Sequence, residues 1–182
     1  NYPYLTACNT VIPSLMAGNA VVHKSASQTL LVGERWADAF AGVLPEGVFQ
    51  NVVLDHEGTE GLIKARSFGF VNFTGSVNGG KAIERAAAGT FTPLGLELGG
   101  KDPGYVMEDA DLDWAVDVLM DGAFFNSGQC CCGIERIYVH RSKFDEFVDR
   151  ATAWTRQQRL GNPLDAATTM GPMANARFAR EV

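Results

Sequence analysis

GFVNFTGSVNGGKAIERAAAG, residues 69 to 89, contains the transition that decides the fold: an apolar run from Gly69 to Phe73, a glycine turn from Gly75 to Gly80, and a helical pattern to about Ala88. The apolar run reads as a buried strand and the segment after the turn as an amphipathic helix. GSVNGG is not a GxGxxG, and glycines at such a turn often serve the turn alone. Its position gives it more weight. A helix N-terminus with a serine hydroxyl is where free N–H groups and the helix dipole would meet a pyrophosphate.

Working outward, Tyr4 to Ala17 reads as a helix closed by Gly18, and Ala20 to Lys24 as a first strand. Ser27 is a plausible N-cap for a helix to about Gly42, with Leu30, Leu31, Trp36, Ala37 and Phe40 facing a sheet. Asn51 to Leu54 is a second strand, followed by a short helix ending near Ser67. With Gly69 to Phe73 third and Leu94 to Leu98 fourth, strands joined by helical crossovers predict an α/β fold, a doubly wound parallel sheet of the dinucleotide-binding kind. Beyond Gly99 and Gly100 a second α/β portion is expected: strand Gly104 to Met107, a helix from about Asp111 to Asn126, a cysteine loop, strand Arg136 to His140 and a helix from Ser142 to Gln158. Arg159 to Met173 reads as a turn-rich loop. The expected division is 1–99 and 100–182.

Composition narrows the function classes. With 182 residues and 46% apolar content the chain can bury a core, and 15 basic against 21 acidic residues give a net charge of −6 without a basic run. Nucleic acid is not an expected partner. No stretch has the roughly 18 uninterrupted apolar residues of a membrane span, and the opening NYPYLTACNT lacks the pattern of a secretory signal. The four cysteines, three of them adjacent, do not make a disulfide framework or a zinc site, so reduced thiols in a cytoplasmic setting are expected and no metal site is predicted.

Cys130, Cys131 and Cys132 lie in FFNSGQCCCG, Phe124 to Gly133, and LELGGK, Leu96 to Lys101, lies upstream. Free cysteine is often a small buried hydrophobe. A cysteine with a separate carboxylate is also the minimum equipment for thiol-based covalent catalysis, in which a base must later activate water. Glu97, a lone acid in an apolar strand ending at Gly99 and Gly100, is the carboxylate with an unusual setting. Of the three histidines, none is close in sequence to the thiols, which sets the chain apart from a Cys-His protease.

Taken together, FFNSGQCCC, LELGGKDPGYVMEDADLDWAV (Leu96 to Val116), FTGS (Phe73 to Ser76) and the opening NYP resemble the NAD(P)-dependent aldehyde dehydrogenase superfamily, from the first residue to about the last. The resemblance implies that 1–99 is the cofactor-binding portion and 100–182 the truncated start of the catalytic domain. Matching GQCCC to the family's GQxC makes Cys131 the nucleophile, Glu97 the base that activates water, and Asn1 an oxyanion donor. It implies that Gly75, Ser76 and Gly80 cradle a dinucleotide with Lys24, Ser27 and Leu98 beside it. The family's usual KPSE is here Lys24, Ser25, Ala26, Ser27, which removes the carboxylate that grips the ribose 2′-hydroxyl. NAD is favoured because no arginine follows to hold a 2′-phosphate, and NADP stays open.

The expected activity is oxidation of a small-molecule aldehyde to a carboxylic acid through a cysteine thiohemiacetal and thioester, in a full-length homo-oligomer. A CoA-acylating dehydrogenase is the nearest alternative, against which Glu97 argues; a non-catalytic nucleotide-binding fragment is the other. Opening inside a motif, without an initiating methionine, the chain is expected to be a fragment that is inactive alone. Phe124, Phe125 and Ile134 suggest an apolar throat, and nothing identifies the aldehyde.

Overall fold

The computed structural model describes residues 1–182 and divides into two compact units, Asn1–Leu98 and Gly99–Val182. In the first, helix α1 (Pro3–Met16) starts with Pro3 in its opening turn, where the missing N–H costs nothing. Strand β1 (Val21–His23), helix α2 (Leu30–Phe40) and strand β2 (Phe49–Asn51) then form a βαβ unit, with β1 and β2 parallel and His23 opposite Asn51. Helix α3 (His56–Lys64) is capped by Asp55, whose carboxylate accepts the Gly58 N–H at 2.8 Å. Strand β3 (Val71–Thr74), helix α4 (Val77–Ala87) and strand β4 (Leu94–Glu97) repeat the pattern, β3 and β4 again parallel.

Parallel pairs joined through helices make the fold α/β, of the Rossmann-like kind the sequence predicts. The strands are hydrogen-bonded as two separate pairs, β1 with β2 and β3 with β4, where one four-stranded sheet is expected from sequence. Two cores are visible in the burial. Ile63, Ala86 and Ala87 seal α3 against α4 above Val71 and Leu94, and an aromatic ladder from Trp36 through Phe40 to Phe49 ties α2 to β2.

Three local expectations for this unit are corrected. The second strand begins at Phe49 rather than Asn51, because the register Val21 to Phe49 places the pairing earlier. Ser27 does not cap α2: it lies in a turn closed by the Thr29 N–H on the Ala26 carbonyl at 2.9 Å, and Thr29 is the residue before the helix. Leu31 faces solvent, 68% exposed, while small Gly33 is the buried residue of α2.

In the second unit, strand β5 (Asp102–Val106) pairs in parallel with β6 (Ile134–Val139) across helix α5 (Leu112–Phe124). Asp111 caps α5 by accepting from the Asp113 and Trp114 N–H groups. Helix α6 (Phe144–Arg156) packs on α5 through Phe147, which joins Val106, Leu112, Ala115, Val116 and Met120 in the core. A short helix α7 (Ala176–Glu181) ends the chain. No helix is long and apolar enough to cross a membrane.

Candidate active site

In the first unit, the turn after β3 places three of the six expected cofactor residues, Gly75, Ser76 and Gly80, at one helix end. Ser76 is the N-cap of α4, its Oγ accepting the Gly79 N–H at 3.1 Å. Gly75 donates its N–H to the Glu97 carbonyl at 2.9 Å, so the glycine turn and the end of β4 are fastened to each other. Gly80 is buried, and a β-carbon there would stand 2.6 Å from Leu98 Cδ2. Its smallness therefore serves packing against Leu98, while Ser76 at the opening of α4 is exposed.

Lys24 follows the last residue of β1, at the C-terminal edge where parallel sheets of this kind take ligands. Its Nζ donates to the Ser25 carbonyl at 3.1 Å. Ser27 is exposed on the adjacent turn. Beneath them, Ser25 Oγ and Asn51 Oδ1 are buried with no partner in the protein, which marks this strand edge as polar in a way the sequence does not announce. Glu97 is exposed as the last residue of β4. Asn1 is exposed ahead of α1, and Tyr2 behind it adopts a left-handed conformation, φ 47°.

The second unit holds the thiols. After α5 the chain makes a tight 3-10 turn, Phe125–Gly128, in which Asn126 (φ 52°), Ser127 (φ 59°) and Gly128 (φ 73°) are successively left-handed. Gly133 N–H then donates to the Cys130 carbonyl at 3.1 Å and closes the cysteine turn. None of the cysteines is in a disulfide; Cys131 and Cys132, the two central residues of the turn, are exposed, and Cys130 is half-buried. The flanking sulfurs of Cys130 and Cys132 lie 3.3 Å apart. The Cys132 thiol is pushed above its ordinary pKa by its hydrogen bond with Cys130 and next by the Cys130 charge.

Several residues around this turn have roles that sequence reasoning missed. A β-carbon on Gly100 would stand 2.8 Å from the Cys131 carbonyl oxygen, so that glycine lets the segment before β5 press against the Cys131 backbone. Glu135 forms an ion pair with Lys101. Ile134 does not line a throat: it packs under Gly122, whose β-carbon would meet its Cδ1 at 2.8 Å. Phe124 stacks on Trp154 with ring centroids 6.0 Å apart and belongs to the core, which leaves exposed Phe125 as the only member of that aromatic pair at the surface.

The first unit provides a helix N-terminus suited to phosphate, a strand-edge lysine and a surface carboxylate, and the second, taken by itself, an exposed thiol on a constrained turn. Residues 1–182 match the aldehyde dehydrogenase family along their whole length. The chain is 40% identical over 183 residues to a mitochondrial benzaldehyde dehydrogenase of Antirrhinum majus, covering 97% of this chain and 34% of that protein. In structure it is similar to lactaldehyde dehydrogenase of Escherichia coli, with a TM-score of 0.91 and 35% identity over 98% of this chain and 38% of the other. It is similar also to betaine aldehyde dehydrogenase of Staphylococcus aureus solved in complex with NAD+, with a TM-score of 0.92 and 33% identity over 100% of this chain and 36% of the other. The chain thus spans about a third of the length of these relatives.

Proposed function

The chain belongs to the aldehyde dehydrogenase family, and from that premise we propose that the whole protein oxidises a small-molecule aldehyde to its carboxylic acid, with Cys131 as nucleophile and NAD, or NADP, as hydride acceptor. The NAD+ held by the Staphylococcus aureus relative supports this cofactor class. The residues present fit such a group: Ser76 and the first N–H groups of the eleven-residue α4 suit a pyrophosphate, and Lys24 and Ser27 offer donors at the neighbouring strand edge. Leu98, packed against Gly80, would wall the same place. When bound, the nicotinamide supplies the acceptor for the hydride.

The chain's own residues account for the remaining steps. The Cys131 thiolate adds to the aldehyde carbon, and the oxyanion of the resulting thiohemiacetal is met by the Asn1 side-chain amide and the Cys131 backbone N–H. Departure of hydride leaves a thioester on Cys131. Glu97 takes a proton from water, which attacks the thioester carbon and releases the acid with the thiolate restored.

The observation that carries this reading is that Cys131 is exposed, as Cys132 is, on a turn where the Cys130 and Cys132 sulfurs lie 3.3 Å apart. In the full-length enzyme, Cys131→Ala is expected to abolish aldehyde oxidation and to prevent trapping of an acyl adduct seen by intact mass, while Cys130→Ala and Cys132→Ala keep most of the activity. Equal loss from all three substitutions would show that the nucleophile has been placed wrongly.

A further inference from the structure

The cysteine turn is fastened to a segment more than forty residues downstream by two side chains, the Gln129 amide and the Ser127 hydroxyl. Gln129 Nε2 donates to the Asn126 carbonyl at 2.9 Å, and the Gln129 backbone N–H donates to that same carbonyl at 3.2 Å. In return Asn126 Nδ2 donates to the Gln129 carbonyl at 3.2 Å. The other end of the Gln129 side chain is also engaged, since its Oε1 accepts the Ala174 N–H at 2.8 Å. Beside it, Ser127 Oγ donates to the Gly171 carbonyl at 2.7 Å.

These bonds act on the place where the backbone is least content. Left-handed conformations at Asn126 and Ser127 are disfavoured for residues with a β-carbon and persist only where surroundings over-determine them. The downstream segment is itself anchored: Met170 bridges to Leu160, and Thr169 Oγ1 accepts the Arg159 N–H and donates to Gln158 Oε1, each at 2.8 Å. The segment 159–174 is therefore a strap, tied at one end to the C-terminal end of α6 and at the other to the turn that presents Cys131.

We propose that Gln129 is a positioning residue, whose amide clamps the left-handed turn to the strap at Ala174 and thereby fixes the Cys131 thiol in its reactive placement. This rests on the reading of Cys131 as the nucleophile. A thiol on a loosened turn would still react, but from a spread of positions, and a misplacement of about 1 Å is enough to cost a large factor in rate.

The test uses the full-length enzyme with Gln129→Met, which keeps length and removes both side-chain bonds, and Gln129→Glu, which keeps an acceptor for Ala174 but sets an oxygen against the Asn126 carbonyl. Two rates are read: alkylation of Cys131 by iodoacetamide, followed by peptide mass, and the burst of reduced cofactor with an aldehyde the wild type turns over. Both are expected to fall by more than about fivefold in Gln129→Met, with a smaller change in KM than in kcat. Thr169→Val, which loosens the strap away from the turn, is expected to lower melting temperature without slowing either rate comparably. If Gln129→Met does not fold, Gln129→Glu is read on the same fivefold threshold. Alkylation within that factor of wild type, or equal slowing by Thr169→Val, overturns the inference. Activity surviving in Cys131→Ala would instead overturn the nucleophile assignment, since the alkylation rate needs no aldehyde chemistry.

Discussion

A β-carbon at Gly100 would meet the Cys131 carbonyl oxygen at 2.8 Å, and a backbone oxygen has no rotamer to swing into. Gly100→Ala must therefore move the peptide of Cys131, the proposed nucleophile. We expect kcat of the full-length enzyme to fall by about 10²-fold, the scale of an ångström-level misplacement; a kcat near wild type would mean that the turn absorbs the shift elsewhere. At Gly80 the crowding atoms are the methyl ends of Leu98, so Gly80→Ala should cost stability, about 1–3 kcal/mol by overpacking, with thermal melting as the measurement. Glu97→Gln is expected to leave the first turnover intact and slow the release of acid, visible as a burst of reduced cofactor followed by a slow steady state. Absence of any steady-state change would remove Glu97 from the reaction. Glu97 and Ser76 stand out in the sequence because each breaks the composition of its neighbourhood, an acid in an apolar strand and a hydroxyl before a helix, whereas Cys131 is told from its two neighbours only by matching GQCCC to the family's GQxC. Gln129 and Ser127 do not stand out, since their partners Ala174 and Gly171 are 45 and 44 residues away and are backbone groups, which carry no sequence signature.

At the level of elements, the strand–turn–helix of β3 and α4 is legible because the apolar run, the N-cap serine and the glycines agree with one another. β2 is less so: its three residues are set by pairing with Val21 to His23, and the apolar Val52 to Leu54 that suggested a later strand leads instead to exposed Val53. The start of α2 is also misjudged from sequence, because Ser27 and Thr29 are both polar residues of the capping kind and only the Ala26–Thr29 turn decides between them. The β1–β2 pair carries a pH dependence as well. Burial, outweighing the nearby Asn51 amide, holds the His23 imidazole below 6.5. The unfolded chain then takes up the proton first as pH falls, so stability is fully present above 6.5 and is lost as pH drops through the lowered folded value. His23→Asn should flatten the dependence of melting temperature on pH over that window, and an unchanged slope would place the titration in another group.

For the whole molecule, the consequential feature is that the expected nucleotide residues and the thiols belong to different compact units, each with its own core: Ile63, Ala86 and Ala87 in the first, and Val106, Leu112 and Phe147 among others in the second. The two compact units meet between Leu98 and Gly99, beside the paired glycines that end an apolar strand, whereas the strap over 159–174 reads as a loop because its bonds join residues about ten apart through backbone groups and one threonine. Separate cores imply separable stabilities. Phe147 is 5% exposed, and Phe147→Ala should destabilise its unit by about 3–5 kcal/mol through lost burial and the cavity left behind. Hydrogen exchange is expected to quicken across β5, α5, β6 and α6 while the amides of α3 and α4 keep their protection, and Ile63→Ala, at about 2–5 kcal/mol, should give the converse pattern. Because Cys131 hangs from the end of α5, Phe147→Ala should also alter its alkylation, and Ile63→Ala should not. Uniform loosening of both units by either substitution would mean that they fold as one cooperative body, and the nucleophile's placement would then depend on both cores.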